Sequence, residues 1–190
     1  MKFFIKFLTL LTLIFSTMNV AEAQNKWRAR DPENFLYIDL KNGRVVIEML
    51  PQIAPKHVER IKTLARRGFY DGIVFHRVID GFMAQTGDPT GTGSGGSDLP
   101  DLKAEFSDEP HIRGAVSMAR ASSPDSANSQ FFIVLADSRF LDGQYTIWGR
   151  VVQGMELVDQ IKKGMGNNGK VNGPDKMLKV RVAADVEKVK

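Results

Sequence analysis

Two short runs, residues 35–40 and 44–49, are dense in aromatic and β-branched side chains, the make-up of half-buried strands. Asn42-Gly43 stands between them and favours a tight hairpin, because both residues tolerate positive φ. The period then changes. Val58, Ile61, Leu64 and Ala65 recur at helical spacing, with Lys56, Glu59, Arg60, Lys62, Arg66 and Arg67 mainly elsewhere. Pro55 suits a first turn and Gly68 a stop, so an amphipathic helix is expected over residues 54–67. Further strands are expected over 112–119, 129–135, 145–152 and 177–182. A second helix over 155–163 would turn Leu157, Val158 and Ile161 inward, with Lys162 and Lys163 in its last turn. About eight strands and two helices without a β-helix-β rhythm predict an all-β fold, a closed antiparallel barrel with no exposed edge.

The most informative stretch is residues 75–88. Side chains two apart share a strand face, so Phe75, Arg77 and Ile79 fall together; Gly81 permits a bend, after which Met83 and Gln85 share a face. The pattern yields a cationic and amide-bearing edge beside an apolar floor. The glycine-rich run 87–96 follows. It lacks the Gly-Lys-Ser/Thr ending of a phosphate loop and no helix pattern follows it, which leaves a sharply turning backbone beside a groove.

Residues 1–23 are expected to be a cleaved signal peptide: Lys2 and Lys6 start it, an apolar run follows, and Ala21-Glu22-Ala23 precedes Gln24. The run is shorter than the roughly 20 residues of a membrane anchor. Residues 24–33 form a polar leader around Trp27, and 34–190 one domain. Losing Lys2, Lys6 and Glu22 lowers the net charge from +4 to +3, and the basic residues are scattered, so no nucleic-acid partner is expected. The absence of cysteine excludes disulfides and a lipid-modified signal. His57, His76 and His111 are irregularly spaced with no HExxH pattern, and Ser117, Ser122 and Ser129 lack a GxSxG elbow, so neither a metal nor a nucleophilic triad is expected. In a regular strand His76 would point away from Arg77.

Three ordered motifs, residues 75–88, Ser129-Gln130-Phe131-Phe132-Ile133-Val134 and Arg139-Phe140-Leu141-Asp142-Gly143, resemble the signature of the cyclophilin family of peptidyl-prolyl isomerases. The resemblance runs from about Asn34 to the C-terminus and implies an eight-stranded barrel with a helix capping each open end. It also implies rotation about X-Pro bonds, whose barrier is roughly 20 kcal/mol. No bond is made or broken, so no cofactor or metal is required. By the resemblance Arg77 is the catalytic donor to the imide nitrogen as it becomes pyramidal. Phe82, Met83, Phe132 and Leu141 match the proline pocket, Gln85 a hydrogen-bonding group for the substrate backbone, and Ala119, Arg120 and Ala121 the opposite wall of the groove, with Gln130 a further amide.

Four positions depart from the best-known members: Phe140 replaces tryptophan, Tyr145 histidine, Arg120 asparagine and Thr86 glycine. Phe140 keeps an apolar wall without the indole donor, so weak cyclosporin binding is expected; Tyr145 keeps a ring with a polar tip. Arg120 would favour acidic residues beside the proline. These replacements look like those of bacterial cyclophilins. The expected protein is a monomer acting on unfolded or partly folded chains in the periplasm of a Gram-negative bacterium. The alternative is a proline-peptide-binding or chaperone-like module with little catalysis.

Overall fold

A computed structural model describes residues 30–187. The expected signal peptide, and the leader as far as residue 29 with Trp27, lie outside them. Strand β1 (Phe35–Leu40) pairs antiparallel with β2 (Gly43–Met49), as the pattern requires. The turn falls on Lys41 and Asn42, and Gly43, at φ +145°, is already paired with Leu40. Helix α1 (Pro55–Arg66) follows and buries Val58, Ile61, Leu64 and Ala65. Ala54 offers no side-chain cap; instead Glu105, distant in sequence, accepts from the Lys56 and His57 amides at 3.1 Å and from His57 Nδ1 at 2.7 Å. A carboxylate here satisfies orphan N–H groups at the positive end of the helix dipole.

The remaining strands are β3 (Arg77–Ile79), β4 (Met83–Thr86), β5 (Ala115–Met118), β6 (Phe131–Val134), β7 (Ile147–Gln153) and β8 (Lys179–Val182). They form one antiparallel sheet in the order β3-β4-β6-β5-β7-β2-β1-β8. Register shifts at Val46/Ile47 and Val116/Ser117 help it to curl.

The expected closed barrel is not what forms. The outer strands β3 and β8 do not pair, and the sheet is an open, curled half-barrel. Irregular chain covers the β3 edge: Val78 N donates to Gly169 O (2.8 Å), Gly164 N to Val78 O (2.9 Å) and Val171 N to His76 O (3.1 Å). Beyond it, Phe75 N donates to Asp175 O and Gly72 N to Met177 O. Covering an edge is an alternative to closing it. The segment approaches itself so tightly that a Cβ on Gly164 would lie 1.9 Å from Gly169 O, which is why glycine occupies it.

The described residues hold three α-helices, not the expected two. Helix α2 (Met155–Asp159) is shorter than the periodicity predicts: its last bonds are of the i+3 type, and Asp175 takes the Lys162 amide at 2.8 Å. Helix α3 (Ala183–Glu187) is too short to show a period in sequence. Arg66 reaches Asp185 on it at 3.0 Å. None of the helices in the described residues is long and apolar enough to cross a membrane.

Along β6 the side chains divide with period two. Phe131 and Ile133 enter the main core with Leu36, Ile47, Leu64 and Trp148, while Phe132 and Val134 enter a smaller cluster on the other face with Met83, Leu141 and Ile147. The second cluster floors a groove.

Candidate active site

Strands β3 and β4 pair Arg77 with Gln85 and Ile79 with Met83, around Gly81 at φ +65°. The alternation seen in the sequence therefore becomes a cross-strand contact. Arg77 Nη1 donates to Gln85 Oε1 at 3.1 Å, and Arg77 Nε to the carbonyl of Asn168 at 2.9 Å. Gln85 Nε2 donates to Gln130 Oε1 at 2.9 Å, and Gln130 Nε2 reaches Gly93 O (3.0 Å) and Gly95 O (2.8 Å). A guanidinium and two amides thus form one hydrogen-bonded line along the rim.

Below the rim lies a hollow of about 580 Å³. Met83, Phe132 and Leu141 are buried in its floor and Phe82 is half-buried. Phe140, 65% exposed, stands 5.5 Å from the Phe82 ring as an outer wall. Tyr145 meets Phe132 edge-on at 5.8 Å. Ala119 and Arg120 border the same hollow, whereas Ala121 and Gln130 line an adjoining one of about 590 Å³. The structure thus gathers every residue matched to the catalytic donor, the proline pocket or the groove walls into these two neighbouring hollows, but Phe75, expected on the face of Arg77, is 1% exposed and turns into the main core, because the regular strand starts only at Arg77. Thr86 is wholly buried with its hydroxyl on Val74 O (2.9 Å), so that departure lies outside both.

Arg120 is bound within the protein. Its Nε and Nη2 donate to Gln144 O at 3.2 and 3.1 Å, Nη1 donates to Ala121 O and Ser122 O, and the guanidinium lies 4.6 Å from the Tyr145 ring centre.

Sequence reasoning missed His76, Thr92, Gly93, Asn168 and Lys170, which also line the groove. Regular strand geometry begins only at Arg77, so alternation does not govern His76. That ring is 7% exposed, neither nitrogen has a hydrogen-bond partner among the described residues, and burial holds its pKa below the ordinary histidine value. The glycine-rich run wraps Asp88, whose carboxylate accepts from Thr90 N and Oγ1 (both 2.8 Å) and Gly93 N (2.6 Å). Burial would raise its pKa, but the Thr90 hydroxyl and the amides of Thr90, Gly95 and Gly93 outweigh that and bring it to about 2.

Three other groups imitate a nucleophilic triad. His111 Nδ1 lies 3.0 Å from Asp142, and Nε2 lies 3.1 Å from Ser117 Oγ. Ser117 is wholly buried, and its hydroxyl is also 3.0 Å from Thr146 O, so no substrate carbonyl reaches it. The arrangement is structural: His111 stacks on Phe132 at 6.3 Å and ties it to the turn carrying Phe140 and Leu141.

A curled antiparallel sheet whose groove is floored by apolar rings and edged by the Arg77 guanidinium on a line of amides defines the class of prolyl-bond isomerases built on this half-barrel. The family model described as "Cyclophilin type peptidyl-prolyl cis-trans isomerase/CLD" matches residues 35–182. A probable peptidyl-prolyl cis-trans isomerase of Brucella suis is 53% identical over 171 residues, covering 84% of this chain and 87% of the relative. A cyclophilin structure from Hirschia baltica superposes with TM-score 0.73 at 31% identity, covering 82% of this chain and 76% of that one. A Cryptosporidium parvum cyclophilin-type isomerase, crystallised in the presence of the dipeptide Ala-Pro, gives TM-score 0.72 at 29% identity over 78% of this chain and 98% of that one. The chain belongs to the cyclophilin-type peptidyl-prolyl cis-trans isomerase family. Its reaction is cis/trans isomerisation of X-Pro bonds.

Proposed function

We propose that the protein isomerises X-Pro bonds in unfolded or partly folded chains by binding the proline ring on Phe82, Met83, Phe132 and Leu141 and directing the Arg77 guanidinium at the imide nitrogen. One observation carries this reading: Asn168 O and Gln85 Oε1 fix two nitrogens of Arg77, while Nη2 has no partner among the described residues, at the edge of the apolar hollow. As the C–N bond twists, conjugation is lost and the imide nitrogen gains a lone pair that a held N–H meets better than it meets the planar amide. Because the donor is already oriented, little reorganisation accompanies the twist. Gln85, Gln130 and the backbone of 119–121 hold the flanking peptide, and Phe140 and Tyr145 wall the ring.

The same reading places the protein, as a monomer released from its signal peptide at Gln24, in the periplasm. Weak cyclosporin binding is part of it, since the Phe140 side chain has no N–H to offer. The test is the cis-to-trans exchange of a short Xaa-Pro peptide with and without the purified protein. Exchange accelerated far beyond the uncatalysed scale of tens of seconds is expected. A folded protein that binds the peptide without accelerating it would leave the chaperone-like module instead.

A further inference from the structure

The groove carries an uneven charge. Arg77, Arg120 and Lys170 line its main hollow, and among the described residues no carboxylate does. Elsewhere many cations are paired, as in Lys41–Asp175, Arg44–Asp39, Arg66–Glu33, Arg113–Asp159 and Arg181–Asp71. Within the groove Arg77 and Arg120 spend most of their donors on carbonyls and an amide. Lys170 differs from both. Its backbone is pinned by a bridge to Arg77, by Met165 N on its carbonyl (3.1 Å) and by Asn168 Oδ1 on its amide (3.2 Å), yet its ammonium has no ion pair among the described residues. The adjoining hollow, past Ala121 and Gln130, includes Asp101.

We infer that Lys170, beside Arg77, forms a carboxylate-binding subsite that selects peptides with an acidic side chain on one side of the proline. This rests on the proposed peptide groove. Lys170 lines the same hollow as the apolar floor, so its ammonium meets peptide residues that flank a proline seated there. Asp101, which accepts from Asn128 Nδ2 at 2.9 Å, puts a negative charge in the adjoining hollow, which Lys170 does not line. Arg120, its donors occupied, contributes only a background charge.

The test compares kcat/KM for Xaa-Pro peptides with Glu, Gln or Lys at each of three positions before and after the proline, using the parent, Lys170→Gln and Lys170→Glu. The readout is the Glu/Gln ratio within each protein, which any general change in turnover cancels. The parent is expected to favour Glu about two- to fivefold on one side only, the range of an exposed ion pair, and less at high salt. The ratio falls to about one in Lys170→Gln and inverts toward Lys in Lys170→Glu. A parent ratio of one, a preference equal on both sides, or a preference that survives Lys170→Gln would overturn the proposal. Peptide Kd values give the same ratio. If the parent binds but does not turn over, the isomerase reading fails and the Kd ratio alone judges Lys170.

Discussion

The two faces of β6 show how one strand serves folding on one side and chemistry on the other. Phe131, pointing inward, meets Tyr70 at 5.6 Å and Trp148 at 5.4 Å, both edge-on, and is wholly enclosed. Phe132, its neighbour, rests on the buried His111 and Tyr145 but faces the hollow. The inner cluster is complete, whereas the outer one lacks a piece, and a proline ring supplies apolar surface of the kind that is missing. Completing a core with the substrate uses the same burial energy that folds the chain.

Truncation on the two faces should therefore have different readouts. Phe131→Ala is expected to cost about 3–5 kcal/mol of stability, because an enclosed cavity cannot collapse around the loss. Phe132→Ala should cost roughly half as much, since its site already opens to water, but lower kcat/KM by roughly tenfold to a hundredfold as proline burial weakens. Denaturant melts and peptide kinetics on both variants check this. Equal stability losses and equal rate losses would erase the distinction between the faces.

Asp88 sharpens the comparison at the groove's edge, where its carboxylate binds the glycine loop through Thr90 and Gly93. Its folded pKa of about 2 lies below the ordinary 3.8, so the carboxylate stabilises the fold above pH 4 and that contribution fades as pH falls toward 2. Asp88→Asn should lose about 2 kcal/mol at pH 7 relative to the parent, and the gap should close near pH 2. A constant gap across that range would mean that the charge is not the source.

The smallest effect concerns the exposed wall. Phe140→Trp restores an N–H, and cyclosporin affinity should rise about fivefold, the worth of one hydrogen bond near 1 kcal/mol. Calorimetric titration showing no gain would mean that an indole N–H at this position does not set cyclosporin affinity.

Local pattern made much of this legible. Alternation predicts the neighbouring faces of Arg77, Met83 and Gln85, and helical spacing predicts the buried stripe of α1, because both depend on residues a few places apart. The open edge of the sheet was not legible, since residues 164–177 cover it through bonds to chain about 86 to 105 positions earlier. For the same reason Asn168 and Lys170 gave no sign of facing Arg77. His76 failed for a local cause: a regular strand was assumed from Phe75, two residues before it begins. The Ser117–His111–Asp142 line was also hidden, because its members come from three elements that only the folded sheet brings together.

The account stands or falls on Arg77, and the most direct measurement sets turnover beside stability in Arg77→Ala. Removing one oriented donor should lower kcat for a short Xaa-Pro peptide by about a hundredfold or more. The unfolding free energy should change by less than about 1 kcal/mol, because the side chain lies at a half-exposed rim. Turnover equal to the parent's, or a rate loss matched by loss of fold, would contradict the claim that this guanidinium acts on the rotating bond.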